Sequence, residues 1–135
     1  MRSALQILIV EDERLIGAEL RRRLQRMGYA VVGLVASGEE AVAQAQRLRP
    51  AVVLMDIRLR GLMDGVEAAQ HIRARCHIPV VFMSAYTTVE TLEHLWRMGL
   101  EGYLSKPFFE SQLRLAIERA VETHHQRTRP EHPGP

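Results

Sequence analysis

The chain has one cysteine, Cys76, and one lysine, Lys106, and each scarcity excludes something. A lone thiol cannot close an internal disulfide, so a small secreted scaffold held by cross-links is ruled out and a reducing cytoplasm is the expected setting. No apolar run approaches the length of a membrane span. The stretch at residues 7–10 is too short for a signal-peptide core and runs straight into acids, so no membrane insertion is expected. Aromatic residues are few, with three Phe, three Tyr and one Trp, which leaves an aliphatic core. Charge of one sign is not in excess either. The formal net charge is +2 and the basic residues are scattered, so direct nucleic-acid binding is not expected. Every basic residue other than Lys106 is an arginine or a histidine, so this lysine is not solubility filler.

What the 135 residues do contain is an alternation of strand-like and helix-like segments repeated five times, a length and pattern suited to one domain. Residues 5–10, 30–35, 51–55, 79–83 and 102–104 read as strands. The first is a continuous apolar run, the pattern of a strand covered on both faces. Residues 13–27 place Ile16, Leu20, Leu24 and Met27 on one helical stripe that Gly28 ends. Ser37 with Glu40, and Thr87 with Glu90, have the form in which a hydroxyl and a carboxylate satisfy each other's free backbone donors at a helix start. Asp64 can cap a third helix bearing Val66, Ala69 and Ile72, and Pro107 stands where a last helix is expected to begin. That helix carries Leu113, Ala116, Ile117, Ala120 and Val121, and is expected to dissolve near His124 and His125. Residues 1–125 therefore read as one domain and residues 126–135 as a flexible polar tail or linker.

Strands alternating with helices require right-handed crossovers and hence a parallel sheet between two helix layers, a doubly wound α/β domain. Three of the apolar runs stop on ionisable residues: Glu11 with Asp12, then Asp56, and shortly after the last run Lys106. In this architecture ligands gather beyond the carboxyl ends of the strands, near the point where strand order reverses. Three carboxylates and an ammonium gathered there can hold a divalent metal and receive a phosphoryl group.

Residues 7–13 (ILIVEDE), 53–56 (VLMD), 81–85 (VFMSA) and 103–108 (YLSKPF), in this order and spacing, resemble the receiver domain of two-component response regulators. The resemblance covers all but the tail. It implies a flavodoxin-like or CheY-like (βα)5 fold with strand order 2-1-3-4-5. It also implies that Asp56 is the phosphoacceptor, attacking the phosphohistidine of a sensor histidine kinase or phosphotransfer protein. Mg²⁺ would be held by Asp12 directly, by Glu11 through water, by Asp56 and by the backbone carbonyl of Arg58. Lys106 would pair with a phosphoryl oxygen and Ser84 would donate a hydroxyl hydrogen bond to another. Tyr103 would rotate as Ser84 moves, repacking a face built from the fourth helix, fifth strand and fifth helix. A cis peptide is expected at Lys106-Pro107. Such a chain modifies itself rather than acting as a conventional enzyme. A phosphorylation-dependent homodimer is a plausible output, and the downstream target protein is not named by the sequence. With only a short tail after the last helix, the domain is expected either to work alone or to have been excised from a longer regulator.

Three departures from the family pattern stand out. Ser84 replaces the more usual threonine, keeping the hydroxyl without the methyl that restricts its rotamers. Arg60 stands four residues past Asp56, where proline is common, in a loop that reads one residue longer than usual. Arg58 and Tyr86 occupy positions that in the family tune acyl-phosphate hydrolysis, and their bulk is expected to shield the phosphoryl group.

Plainer roles compete with these. Glu11 to Glu13 could simply complement a helix N-terminus, and Asp56 could be a turn residue. Asp64 and Gly65 read as cap and turn. The histidines lack metal-site spacing, Arg21, Arg22 and Arg23 read as a solvated face, and Trp96 fits either core or output surface. A receiver that binds partners without being phosphorylated would be expected to lack a site residue, and here the set is complete. A metal-dependent phosphatase built on Asp-x-Asp is disfavoured because Asp56-Ile57-Arg58 lacks the second carboxylate.

Overall fold

A parallel sheet needs a crossover after every strand, and the chain supplies one helix for each: β1 (Gln6–Val10), α1 (Arg14–Arg26), β2 (Ala30–Val35), α2 (Gly38–Leu48), β3 (Val52–Asp56), α3 (Gly65–Cys76), β4 (Val80–Ser84), α4 (Val89–Arg97), β5 (Gly102–Ser105) and α5 (Glu110–Thr128). The structure is a computed structural model that describes residues 4–85, 88–99 and 101–128. All four strand pairings are parallel, in the order β2-β1-β3-β4-β5. The doubly wound five-stranded sheet expected from the sequence is therefore present.

Side chains on a strand alternate between faces, and the two cores divide accordingly. Leu8, Val10, Val53, Met55, Val80 and Phe82 pack with Ala41, Ile72 and Leu95 from α2, α3 and α4. Ile7, Ile9, Leu54, Val81, Met83 and Leu104 pack with Leu20, Leu24, Leu113 and Ile117 from α1 and α5. Strands β3 and β4 are buried along their whole length, which is why their sequences show no polar alternation. A fully buried leucine such as Leu54 contributes about 1.5–3 kcal/mol by its removal from water.

Helix ends follow the capping chemistry with some differences. Ser37 accepts from the Glu40 N–H, while its hydroxyl donates to the Glu40 carboxylate, so the reciprocal half runs between side chains. Asp64 accepts from the Glu67 N–H as expected. At α4 the cap is Thr88, which accepts from the Thr91 N–H, and Thr87 lies outside the described residues. The last helix begins at Glu110 rather than at Pro107, because the Gln112 side chain caps the Phe109 N–H. The Lys106-Pro107 peptide is cis, as the resemblance implied. Helix α5 does not dissolve at His124 and His125 but continues to Thr128, with His124 fastened to Glu101 at 2.7 Å.

Two further expectations resolve. Arg21 and Arg22 are solvated, whereas Arg23 is half-buried, donates to the Phe108 carbonyl and lies over the Phe108 ring. Trp96 is 69% exposed and belongs to the surface of α4. No helix among the described residues is long and apolar enough to cross a membrane.

Candidate functional site

Glu11 and Asp12 follow the end of β1, and Asp56 is the last residue of β3. These strands are neighbours in the middle of the sheet, where the chain turns outward to β2 on one side and to β4 on the other. That crevice is the switch point of a doubly wound sheet, and the carboxylates reach it because their strands run parallel. One oxygen from each of Glu11, Asp12 and Asp56 lies within 4.8 Å of the others.

Lys106 enters from the end of β5. Its Nζ donates to Glu11 Oε1 at 2.6 Å and to Asp56 Oδ2 at 3.3 Å, and its backbone N–H donates to the Ser84 carbonyl at 2.9 Å. The Glu11 side chain is 1% exposed, so its ionic contact with Lys106 is shielded from water. Burial pushes the Glu11 carboxyl above its ordinary range, and neighbouring Asp56 pushes in the same direction against the opposing pull of Lys106. For Lys106, burial alone would lower the pKa, but its hydrogen bond to Glu11 and the charges of both acids outweigh it and raise the value.

The remaining contacts fix the acids from the loops. The Arg58 N–H donates to Asp56 Oδ1 at 2.9 Å and the Glu13 N–H to Glu11 Oε2 at 3.3 Å. The loop of residues 57–64 is pinned by Ile57 and Leu59, both buried in the core on the α3 side. Gly65 lets α3 start against the site, since a Cβ there would stand 2.1 Å from the Asp56 carbonyl oxygen. Only glycine fits that approach.

Glu11, Asp12, Asp56 and Lys106 thus converge, and the Arg58 backbone and buried Ser84 adjoin them. The Arg58 side chain is exposed. Tyr103 does not join the cluster; it is half-buried, pairs in register with Phe82 and packs on the core beneath α2, α3 and α4. Tyr86 lies outside the described residues. A contact that sequence reasoning missed is that of Arg60, whose N–H and Nε both approach Asp12 Oδ2, at 3.3 and 3.6 Å. The sequence signal was the missing proline, which frees an N–H for that carboxylate.

A cleft of about 360 Å³ opens over these groups. A larger one, of about 510 Å³, lies toward the amino ends of β4 and β5 beside Arg73, Glu101 and His124. Three carboxylates within 4.8 Å of one another, and not size, mark the first as the candidate site, whereas the Arg73, Glu101 and His124 group of the larger cleft contains a single acid. Three carboxylates face one ammonium, so negative charge is in excess, and all three offer hard oxygen donors. That set fits a hard divalent cation such as Mg²⁺.

Residues 7–118 match the response regulator receiver domain. The chain is 38% identical over 116 residues to the transcriptional regulatory protein PdtaR of Mycobacterium tuberculosis, covering 86% of this chain and 56% of that protein. It is 35% identical over 122 residues to the regulatory protein AtoC of Escherichia coli, covering 87% of this chain and 25% of that one. The chain therefore spans about half or less of the curated relatives it matches here. Among solved structures, the signal receiver domain of a modulated diguanylate cyclase from Desulfovibrio desulfuricans G20 superposes with a TM-score of 0.86 at 41% identity, over 93% of this chain and 99% of that one. The receiver domain of a sensor histidine kinase from Pseudomonas aeruginosa PAO1, solved with magnesium coordinated in its active-site cleft, gives a TM-score of 0.78 at 32% identity, over 89% and 99%.

Proposed function

The chain belongs to the response regulator receiver family, and from that premise we propose that it is a switch that accepts a phosphoryl group on Asp56 from the phosphohistidine of a sensor kinase or phosphotransfer protein. The observation that carries this reading is the position of Lys106 Nζ, which bridges Glu11 and Asp56 inside a ring of three carboxylates at the strand ends. An oxygen of Asp56 attacks phosphorus, a P–O bond forms as the P–N bond breaks, and the imidazole leaves with the electron pair.

Glu11, Asp12 and Asp56, with the Arg58 carbonyl, are the residues that would hold Mg²⁺. Bound there, the cation supplies charge neutralisation to the transferring phosphoryl group. The chain's own groups do the rest. The Arg58 N–H holds Asp56 Oδ1, which leaves Oδ2 on the Lys106 side. Lys106 then moves from the carboxylates to a phosphoryl oxygen, and the Ser84 hydroxyl takes another. Because the Lys106 N–H is bonded to the Ser84 carbonyl, a shift of one end of β4 is shared with β5. Tyr103, half-buried on β5, would repack as that edge moves, altering the face of α4, β5 and α5. The output is a change in affinity for a downstream protein or for a second copy of the chain. Self-modification of this kind is not conventional enzyme turnover, and a cytoplasmic setting follows from a kinase partner.

Intact mass after treatment with a small phosphodonor, with and without Mg²⁺, tests the reading. The native chain is expected to gain one phosphoryl group in a Mg²⁺-dependent manner, and Asp56→Asn to gain none. A gain that persists in Asp56→Asn would overturn the assignment.

A further inference from the structure

We propose that Arg60 is a built-in competitor for the divalent cation at Asp12, setting how tightly this receiver holds its metal. The proposal rests on the metal site of the proposed function and adds a residue to it. Of the three acids, Asp12 has the most exposed side chain, at 15%, and it is held by the loop after β3, whereas Lys106 bonds to Glu11 and Asp56. Both Arg60 contacts fall on one oxygen, Asp12 Oδ2: the backbone N–H at 3.3 Å and Nε at 3.6 Å.

The two contacts differ in strength. The backbone of Arg60 is held in place because Leu59 beside it is buried, whereas the guanidinium is 90% exposed. A cation using Oδ2 must displace the guanidinium or share the oxygen with it, so binding either gives up the Arg60 ion pair or sets two positive charges beside each other. The opposing effect is modest because the guanidinium is solvated, and it weakens with salt because exposed charges are screened over about 8–10 Å near physiological ionic strength. Proline at this position would supply neither the charge nor the N–H.

Calorimetric titration of the full chain with Mg²⁺ alone, at low and at physiological salt, tests this. Arg60→Ala is expected to bind Mg²⁺ about three- to fivefold more tightly than the native chain at low salt, Arg60→Lys to stay close to native, and the gain in Arg60→Ala to shrink as salt rises. Equal or weaker binding by Arg60→Ala, or a gain independent of salt, would overturn the role of Arg60. Asp12→Asn separates the two levels of the reading. If it weakens binding while Arg60→Ala changes nothing, the metal site stands and the competitor does not. If the native chain itself takes up no Mg²⁺, the metal site falls and the role of Arg60 with it.

Discussion

Replacing Asp56 by asparagine should make the metal-free fold more stable. Glu11 and Asp12 each present an oxygen within 4.8 Å of an Asp56 oxygen, and the Asp56 side chain is 11% exposed. At an effective dielectric constant of about 20, unit charges at 4.8 Å repel by roughly 3.5 kcal/mol, while the attraction between Asp56 and Lys106 at 3.3 Å is roughly 5 kcal/mol. Two repulsions against one attraction leave a net cost of about 2 kcal/mol, before the penalty for holding the charge away from water. Asparagine keeps the shape and an oxygen for the Arg58 N–H. With a metal chelator present at neutral pH, Asp56→Asn is expected to gain about 1–2 kcal/mol, raising the urea midpoint by about 0.5–1 M. The gain should depend on pH in a set direction. The raised pKa of Glu11 means that the native state binds its proton more readily than the unfolded chain does. Its stabilising contribution is therefore complete below the ordinary value of 4.5 and is lost as pH rises through the raised value. Removing Asp56 takes away two of the causes of that raise, so the advantage of Asp56→Asn should be smallest near pH 4 and widen toward neutrality. Added Mg²⁺ should narrow it by stabilising the native chain preferentially. An unchanged or lower midpoint for Asp56→Asn would refute the reasoning, because it would mean that Lys106 more than balances both neighbouring acids.

Lys106→Met should destabilise the fold by about 3 kcal/mol, since it leaves the buried Glu11 carboxylate without its 2.6 Å partner, and urea denaturation at neutral pH will show it. As the pKa of Lys106 is raised, the stability it lends is complete below its ordinary value of 10.5 and disappears as pH rises past the raised one, so the native chain should converge on Lys106→Met only in strongly alkaline buffer. Gly65→Ala should cost about 3 kcal/mol or more and impair phosphorylation together with stability, because its Cβ would meet the Asp56 carbonyl at 2.1 Å; thermal unfolding and phosphoryl-group mass gain measured on one sample would fail to support this if both matched the native chain.

The fold was legible where one local rule settles an element. The apolar runs of β1, β3 and β4 announce strands covered on both faces, and Ser37 and Asp64 mark the starts of α2 and α3 by chemistry confined to four residues. Legibility failed where two neighbours offered the same chemistry. Thr87 and Thr88 can both cap a helix, and Pro107 can open one as readily as the turn that Gln112 closes at Phe109. Contacts between distant residues left no local trace. Glu101 is a buried carboxylate that accepts from the Val80 N–H and lies 3.6 Å from Arg73 and 2.7 Å from His124, so the residue at which the sequence suggested an end to α5 is fastened to another element. The same holds at the site. Strand ends announced Glu11, Asp12, Asp56 and Lys106, but the hold of Arg60 on Asp12 spans 48 residues and depends on how the loop after β3 folds back.

One electrostatic imbalance links these features to switching. Three carboxylates beside one ammonium carry excess negative charge, and Lys106, the guanidinium of Arg60 and a divalent cation are three ways of offsetting it. Phosphorylation of Asp56 would exchange a singly charged carboxylate for a group of roughly two negative charges with three acceptor oxygens, which deepens the imbalance. The stronger anion would draw Lys106 from Glu11, and the movement cannot stay local. The Lys106 backbone is tied to the Ser84 carbonyl, so on the proposed reading the ends of β4 and β5 would be displaced together, and α4 and α5 pack on opposite faces of that edge. The lone lysine therefore stands where charge is compensated in this structure and where, on the proposed reading, that compensation would be rearranged by phosphorylation.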